Sequence, residues 1–477
     1  MRGPEEPPAW AGPALRAVLD RAALTRAEAG ARFPLFADPG TGTWTTTRRG
    51  AWTGGFWAGL LWLRARATGT AEDHRAAAEC TARLAHWLHA DTATRGLILW
   101  YGTASTGPAP PAATTAAPGP GPAPRDSTAA AARVEGAAGP GAVCAPDRTA
   151  AAGDRAAGAR PAAASDRSAA PRVEGVPRAE GAPPDRPAPE PNPTTPGGQA
   201  APRAERPAVS GHGSASDRAS ASPEPTPADG APADAEALRA EAARVCLDAL
   251  DPGLGLVPWG AAFGGPRLVA RADAVPGLVP LLAAAGPRGA QAAAAHLHRH
   301  LDLCRAGAMA WRYVPGSGWR PLAEPAPGWS RGRAWLLLAV ADGLAHAAGA
   351  DPGVWRPERL RRAAARLGAS PAPGEPLVPP ADTAEPGGFP DTSAAAITAV
   401  ALLKLAALPG ADAGRLTRRA TAVLHRLVSA HLRDGMLLDG CYDAATGTAQ
   451  QHELIWGDYF LALGLALLTG LVRPGDV

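Results

Sequence analysis

Apolar positions recur along the chain with helical spacing, in two alternating kinds of stretch. Residues 12–29 carry Leu15, Val18, Leu19 and Ala22 on one side and Arg16, Asp20 and Arg26 on the other. That spacing predicts an amphipathic helix with one wet face. Residues 54–66 differ. Phe56, Trp57, Leu60, Leu61 and Leu63 share a face and Trp62 occupies the remaining one, so this helix is expected to be buried all round. The alternation continues. Amphipathic stretches cover 72–90, 236–250, 288–303, 354–367 and 412–431; apolar ones cover 94–102, 276–286, 332–348, 392–407 and 456–470. In 276–286, Pro276 suits a first turn, whereas Pro280 strains the helix. Twelve alternating helices predict an all-α fold, an α/α barrel with six inner helices buried on every side and six outer ones half wet. Strand signals are few, and 308–320 and 434–446 read as hairpins on loops.

Loop lengths form a second pattern. Connections leaving apolar helices are short (67–71, 287, 349–353, 408–411), and those entering them are mostly long (30–53, 251–275, 304–331, 368–391, 432–455). In an alternating barrel all the long loops lie at one end, where the inner helices begin, and sites are built on such loops.

Composition changes the domain count. The chain has 477 residues, yet Gly102 to Ala237 contains no Leu, Ile, Met, Phe, Trp or Tyr. An Ala/Pro/Gly-rich stretch of that kind buries too little apolar surface to offset chain entropy, so 102–237 is expected to be a disordered insert. Residues 1–101 and 238–477 then form a single large domain. The insert leaves helix 94–102 at its C-terminal end, away from the long loops. Deleting Thr103 to Pro232 is therefore expected to preserve fold and activity, as circular dichroism and an activity assay of the purified variant would show.

Charge and cysteine usage narrow the class. The net charge is +3, with no basic stripe interleaved with aromatics, which argues against nucleic acid. Five scattered cysteines without a C-x-x-C fit a reduced, cytoplasmic protein. The start, MRGPEEPPAW, lacks the pattern of a secretion signal. No apolar run reaches the length of about 20 residues that spans a membrane.

The inner-helix starts hold the candidate chemistry. They read Trp52-Thr53-Gly54-Gly55, Asp91 to Gly96, Arg271-Ala272-Asp273, Trp329 to Trp335 with Ser330, Arg331 and Arg333, Asp391-Thr392-Ser393, and Trp456-Gly457-Asp458-Tyr459. Each Asp, Ser or Thr alone is a helix cap. Six such starts at one barrel end put tryptophans, arginines and carboxylates around a shared cavity. Indole faces stack on sugar rings, carboxylates do acid/base work, and helix N-termini with Arg forks favour an anion. The pattern points to an acidic sugar or a similar ligand. His296, His298 and His300 on 288–303 have metal-like spacing but no carboxylate or cysteine partner, and are read as a solvated helical face. No phosphate loop, G-x-S-x-G or metal site is found.

WTGGFWAGLLWL (52–63), WSRGRAW (329–335), DTSAAAITAVALLKL (391–405), WGDYF (456–460) and the position of Asp273 ahead of an apolar helix resemble glycoside hydrolase family 88, the unsaturated glucuronyl hydrolases. The resemblance runs through both ordered parts and omits the insert. It implies an α/α six-hairpin toroid and hydrolysis of oligosaccharides ending in a C4–C5 unsaturated uronic acid, by hydration of the vinyl ether, with no metal or cofactor. It implies Asp273 as the acid/base group, Trp52 stacked on the sugar, and Arg331, Trp335 and Ser393 at the substrate, with Trp329 and Trp456 beside them. The sequence departs from the family at several points. Thr94 stands where the family has a second aspartate, and Asp91, one turn earlier, is the candidate substitute. Arg305-Ala306-Gly307-Ala308 replaces a family loop, Trp311 lies near the place of its histidine, and Arg333 replaces a glutamine. Two other readings stay open: a two-carboxylate α/α-barrel glycosidase using Asp273 with Asp91 or Asp458, and a sugar-binding relative without catalysis.

Overall fold

A computed structural model describes residues 6–106, 234–369 and 376–477; the expected insert lies mostly outside them. Among the described residues there are twelve α-helices: α1 (Ala11–Ala29), α2 (Gly54–Thr68), α3 (Ala71–Ala82), α4 (Ala235–Asp248), α5 (Leu278–Ala283), α6 (Gly286–Leu303), α7 (Ser330–Ala347), α8 (Pro352–Trp355), α9 (Pro357–Leu367), α10 (Thr392–Ala406), α11 (Ala413–Ala430) and α12 (Ile455–Leu468). None is long and apolar enough to cross a membrane.

The apolar helices pack in a closed cycle. α2 meets a π-helical turn at Gly96–Trp100, that turn meets α5, α5 meets α7, α7 meets α10, α10 meets α12, and α12 returns to α2. The amphipathic helices cover this cycle: α1 over α2 and α12, α3 over α2, α4 over α5, α6 over α5 and α7, α9 over α7, and α11 over α10 and α12. Within the cycle Phe56 is fully buried, with its ring centroid 5.2 Å from Tyr101, 6.1 Å from Trp335, 5.6 Å from Tyr459 and 5.5 Å from Phe460. Rings from α2, α7 and α12, with Tyr101 just past the π-helical turn, thus fill its interior.

Close approach of α2 to the π-helical turn depends on Gly55. A Cβ there would lie 2.2 Å from the Ile98 carbonyl oxygen and 2.3 Å from that of Leu97. The glycines of the first motif are therefore buried packing residues, Gly55 against backbone, Gly54 against the Leu84 and Phe33 side chains, and Gly59 against the Tyr459 ring and Tyr101 O. Gly55→Ala is expected to cost about 1–3 kcal/mol through overpacking, read as a melting-temperature drop with an unchanged circular-dichroism spectrum.

Several expected elements changed form. The stretch 94–102 is helical only over the single π turn. Helix 276–286 shrinks to α5, because Gly277 at φ 72° turns the chain before Leu278. Pro280 then falls in the first turn, where its missing N–H is not needed. Helix 354–367 is broken at Arg356 (φ 47°) into α8 and α9. Helix 72–90 ends at Ala82 and gives way to a 3₁₀ turn at Ala85–Trp87. Residues 103–106, expected in the insert, are packed: Thr103, Ala104 and Ser105 are buried and the Thr103 hydroxyl donates to Leu99 O at 2.6 Å. The informative deletion therefore begins after Thr106.

Strands are more numerous than expected. One sheet has the order β2 (Trp44–Thr47), β1 (Phe33–Ala37), β9 (Thr448–Leu454), β8 (Gly440–Asp443), and a second has β3 (Val269–Arg271), β4 (Ala310–Val314), β5 (Gly318–Pro321). β6 (Leu432–Arg433) and β7 (Met436–Leu437) form a separate pair. The expected hairpin at 308–320 is β4–β5, and 434–446 holds parts of β6–β7 and β8–β9. β1 pairs with β9 through Phe36↔Leu454 and Ala37↔Glu453, so the long first loop is tied to the last one.

The three histidines of α6 overturn the solvated-face reading. His296 and His300 are 0% exposed and His298 8%. α6 is roofed by the 251–275 loop on one side and by α8 on the other. Val257 N–H donates to His296 Nδ1 at 3.1 Å, His298 Nε2 lies 3.1 Å from Trp355 O, and His300 Nδ1 lies 2.8 Å from His296 O. Burial pushes His296 well below its usual value and His300 to about 4. A histidine lowered on folding stabilises above its unfolded value, about 6.5. That contribution is lost as pH falls from there towards about 4. The wild type is therefore expected to lose more thermal stability between pH 7 and pH 5 than a His300→Asn variant, as scanning calorimetry of the two proteins would show.

Candidate active site

Asp273 reaches the mouth of the helix cycle through local geometry. β3 ends at Arg271, a 3₁₀ turn spans Ala272–Ala274, and α5 follows. β3 is held by β4 through Val269↔Arg312, Ala270↔Trp311 and Arg271↔Ala310. The turn places the Asp273 side chain on the edge of a cavity of about 760 Å³. Trp52, Thr94, Trp259, Phe263, Trp329, Arg331, Trp335 and Tyr442 also line it. In this structure Arg271 grips Asp273 with both prongs, Nε to Oδ1 at 3.0 Å and Nη2 to Oδ2 at 3.1 Å. The same guanidinium lies 4.7 Å from the Trp259 ring. Both groups keep contact with solvent, with side-chain exposures of 16% for Asp273 and 30% for Arg271.

Arg331 is placed differently from the expected anion fork. It is buried at the start of α7, between the rings of Trp329 (5.3 Å) and Trp456 (5.4 Å). Its Nη1 donates to Asp391 Oδ2 and to Cys441 O, both at 2.6 Å, and its Nη2 donates to Tyr442 O at 2.9 Å. Asp391 is itself fully buried and caps α10. Its Oδ1 accepts from Ser393 N at 3.1 Å, Ser393 Oγ at 2.5 Å and Ala394 N at 3.3 Å. Arg331 therefore locks the β8 backbone to the N-terminus of α10. Ser393 is fully buried and serves that cap; it is not part of the cavity wall.

The aromatic residues divide between wall and backing. Trp52 and Trp329 are half-buried on the wall, and Trp335, 1% exposed, is on its floor. Trp456 is fully buried behind Trp52, 4.8 Å away between centroids, and lies outside the lining. Tyr442 completes the group, 6.5 Å from Trp52 and 5.6 Å from Trp456. Burial pushes its hydroxyl up from the usual tyrosine value.

The other candidate carboxylates are outside the cavity lining. Asp91 is bound on the rim by Arg267, Nε to Oδ2 at 2.9 Å and Nη2 to Oδ1 at 3.3 Å, and by Ala261 N at 3.2 Å. It pins the 260–267 loop, and Thr94 faces the cavity in its stead. Asp458 is buried beside Glu453, which Arg21 holds at 2.8 and 3.0 Å. Burial, followed by the Glu453 charge, pushes Asp458 well above the usual carboxylate range. Neither is brought together with Asp273. Arg333 also points away and donates to the Leu367 and Arg366 carbonyls.

Sequence reasoning missed Trp259, Phe263, Glu324, Asp382, Glu385, Tyr442 and Asp443, all of which line the cavity. All sit on the long loops whose lengths marked this end of the barrel. Only their side-chain directions were invisible.

No profile of a known family matches the chain, and no curated protein is similar to it at a significant level. Solved structures of unsaturated glucuronyl hydrolases do share its fold. An Asp-to-Asn variant described as UGL with dGlcA-Glc-Rha-Glc is 18% identical, with a TM-score of 0.60 over 95% of this chain and 96% of that one. The enzyme from Bacillus sp. GL1, described as responsible for the degradation of glycosaminoglycan, is 18% identical, with a TM-score of 0.59 over 96% of each chain. One described as specific for heparin is 16% identical, with a TM-score of 0.59 over 96% of each chain. These likenesses extend over nearly the whole of each chain and establish a common fold.

Proposed function

We propose that this chain is a glycoside hydrolase of the unsaturated glucuronyl hydrolase kind, and that its closed cycle of helices is that family's six-hairpin α/α toroid. The substrate is an oligosaccharide ending in a C4–C5 unsaturated uronic acid, of the sort a polysaccharide lyase leaves. The observation that carries this reading is Asp273. It is the carboxyl at the mouth of an inner helix, in an aromatic cavity large enough for a sugar, on a fold shared with those enzymes. In the reaction Asp273, freed from Arg271 and protonated from solvent, gives that proton to C4 and then takes one from the water that attacks C5. The hemiketal so formed opens and releases the neighbouring sugar. Trp52 and Trp329 supply the stacking surfaces. Arg271 must first leave Asp273, and the substrate's own carboxylate is a partner of the right geometry to draw it off. The four described cysteines, all free and buried, fit the cytoplasmic setting this reading includes. The test is a panel of lyase-generated disaccharides followed by loss of the double-bond absorbance. Turnover supports the proposal, and a panel left intact sinks it.

A further inference from the structure

The cavity is electrically lopsided. Among the described residues, six carboxylates and two guanidiniums line it, with no lysine or histidine. Both guanidiniums are already paired, Arg271 with Asp273 and Arg331 with Asp391. The remaining four, Glu324, Asp382, Glu385 and Asp443, form no ion pair among the described residues. Glu324 precedes α7, Asp382 and Glu385 lie on the loop before α10, and Asp443 ends β8. Glu324 and Glu385 are exposed and the other two half-buried. Asp382 Oδ1 accepts from Ala384 N at 2.8 Å and Asp443 Oδ1 from Ala445 N at 3.0 Å, so both carboxylates are fixed in place by their own turns. The cations thus sit with the buried Asp391 and the catalytic Asp273, and the uncompensated negative charge sits on the outer loops of the same cavity.

We infer that this acidic rim selects the sugar next to the unsaturated uronate: it takes an uncharged sugar or one bearing a free amine, and rejects a sulfated one. The inference rests on the hydrolase reading and deepens it. An anionic uronate has Arg271 as its counter-charge in the cavity, since Arg331 is taken up by Asp391 and the Cys441 and Tyr442 carbonyls. A sulfate on the following sugar would meet four carboxylates and no unpaired guanidinium of the lining, whereas an ammonium would meet those carboxylates as counter-charges. A rim of like charge repels over about a Debye length, so the preference is strongest at low ionic strength.

Three disaccharides test it. They share one unsaturated uronate and differ only in the neighbouring hexosamine, which is N-acetylated, free-amine or 6-O-sulfated. Turnover is followed by absorbance and binding by quenching of cavity tryptophan fluorescence. At low salt the sulfated compound is expected to bind and turn over on the order of tenfold more weakly than the N-acetylated one, and the free amine at least as well as the latter. Added salt is expected to shrink the ratio. The combined variant Glu324→Gln, Asp382→Asn, Glu385→Gln, Asp443→Asn is expected to level the three, read as the ratios of their affinities and of their kcat/KM values. A sulfated compound that matches or beats the others at low salt overturns the inference, as does a ratio untouched by the four neutral substitutions. Binding with that ranking but no turnover sinks the hydrolase reading and leaves the rim selectivity standing. Turnover without the ranking does the reverse.

Discussion

Asp273→Asn is expected to lower kcat/KM for an unsaturated disaccharide by on the order of a thousandfold, the size of a lost general acid/base group. The substitution keeps the shape of the side chain and removes only its ability to exchange a proton. Structural damage is limited, because the pair is only partly buried and water can reach the Arg271 guanidinium when the carboxylate charge is removed. The melting temperature should stay within a few degrees of wild type. Sugar affinity, followed by tryptophan fluorescence, should persist. A variant that keeps turnover would remove Asp273 from the chemistry. One that binds sugar as before, from a wild type that itself forms no product, would identify a binding protein on this fold.

Arg331→Met is expected to destabilise the protein by about 3–5 kcal/mol, the usual cost of leaving one member of a buried ion pair uncompensated. Asp391 is fully buried, and its Oδ2 has Arg331 as its hydrogen-bond partner. The same substitution frees the Cys441 and Tyr442 carbonyls, so β8 and the turn carrying Asp443 lose their tie to α10. Substrate affinity should therefore fall together with the melting temperature, although Arg331 has both Nη atoms on protein acceptors. Arg331→Lys is expected to rescue little, since one ammonium cannot reproduce a planar fork aimed at three acceptors. A calorimetric scan of both variants decides the point. Wild-type melting of Arg331→Met would refute the structural role.

The two outcomes separate residues that the motifs had grouped together. WSRGRAW and DTSAAA read as substrate-contacting segments because Arg, Ser and Asp gather at helix starts. Arg331 and Ser393 instead bind each other's surroundings, since both oxygens of a buried Asp391 must be satisfied from within the protein. Trp456 similarly backs Trp52 and leaves the cavity wall to it. Asp91 was the candidate substitute for the second aspartate that the family resemblance implies. Arg267, which holds it, lies 176 positions along the chain, a pairing no local pattern reveals.

The chain's own pattern determined the alternation of buried and half-wet helices and marked the long loops that gather around the cavity. Burial on one side or all sides writes itself into residue periodicity, and a loop's length is the same before and after folding. Tertiary structure alone decided the rest. The π-helical turn at Gly96–Trp100 lies directly against α2 because Gly55 lets two backbones approach. The α6 histidines are dry because a loop and α8 close over them. β1 finds β9 across the length of the chain, and the rim's negative charge appears only when Glu324, Asp382, Glu385 and Asp443 converge from separate loops. These features depend on which distant groups meet, and helical or strand periodicity records only what each segment does with its own faces.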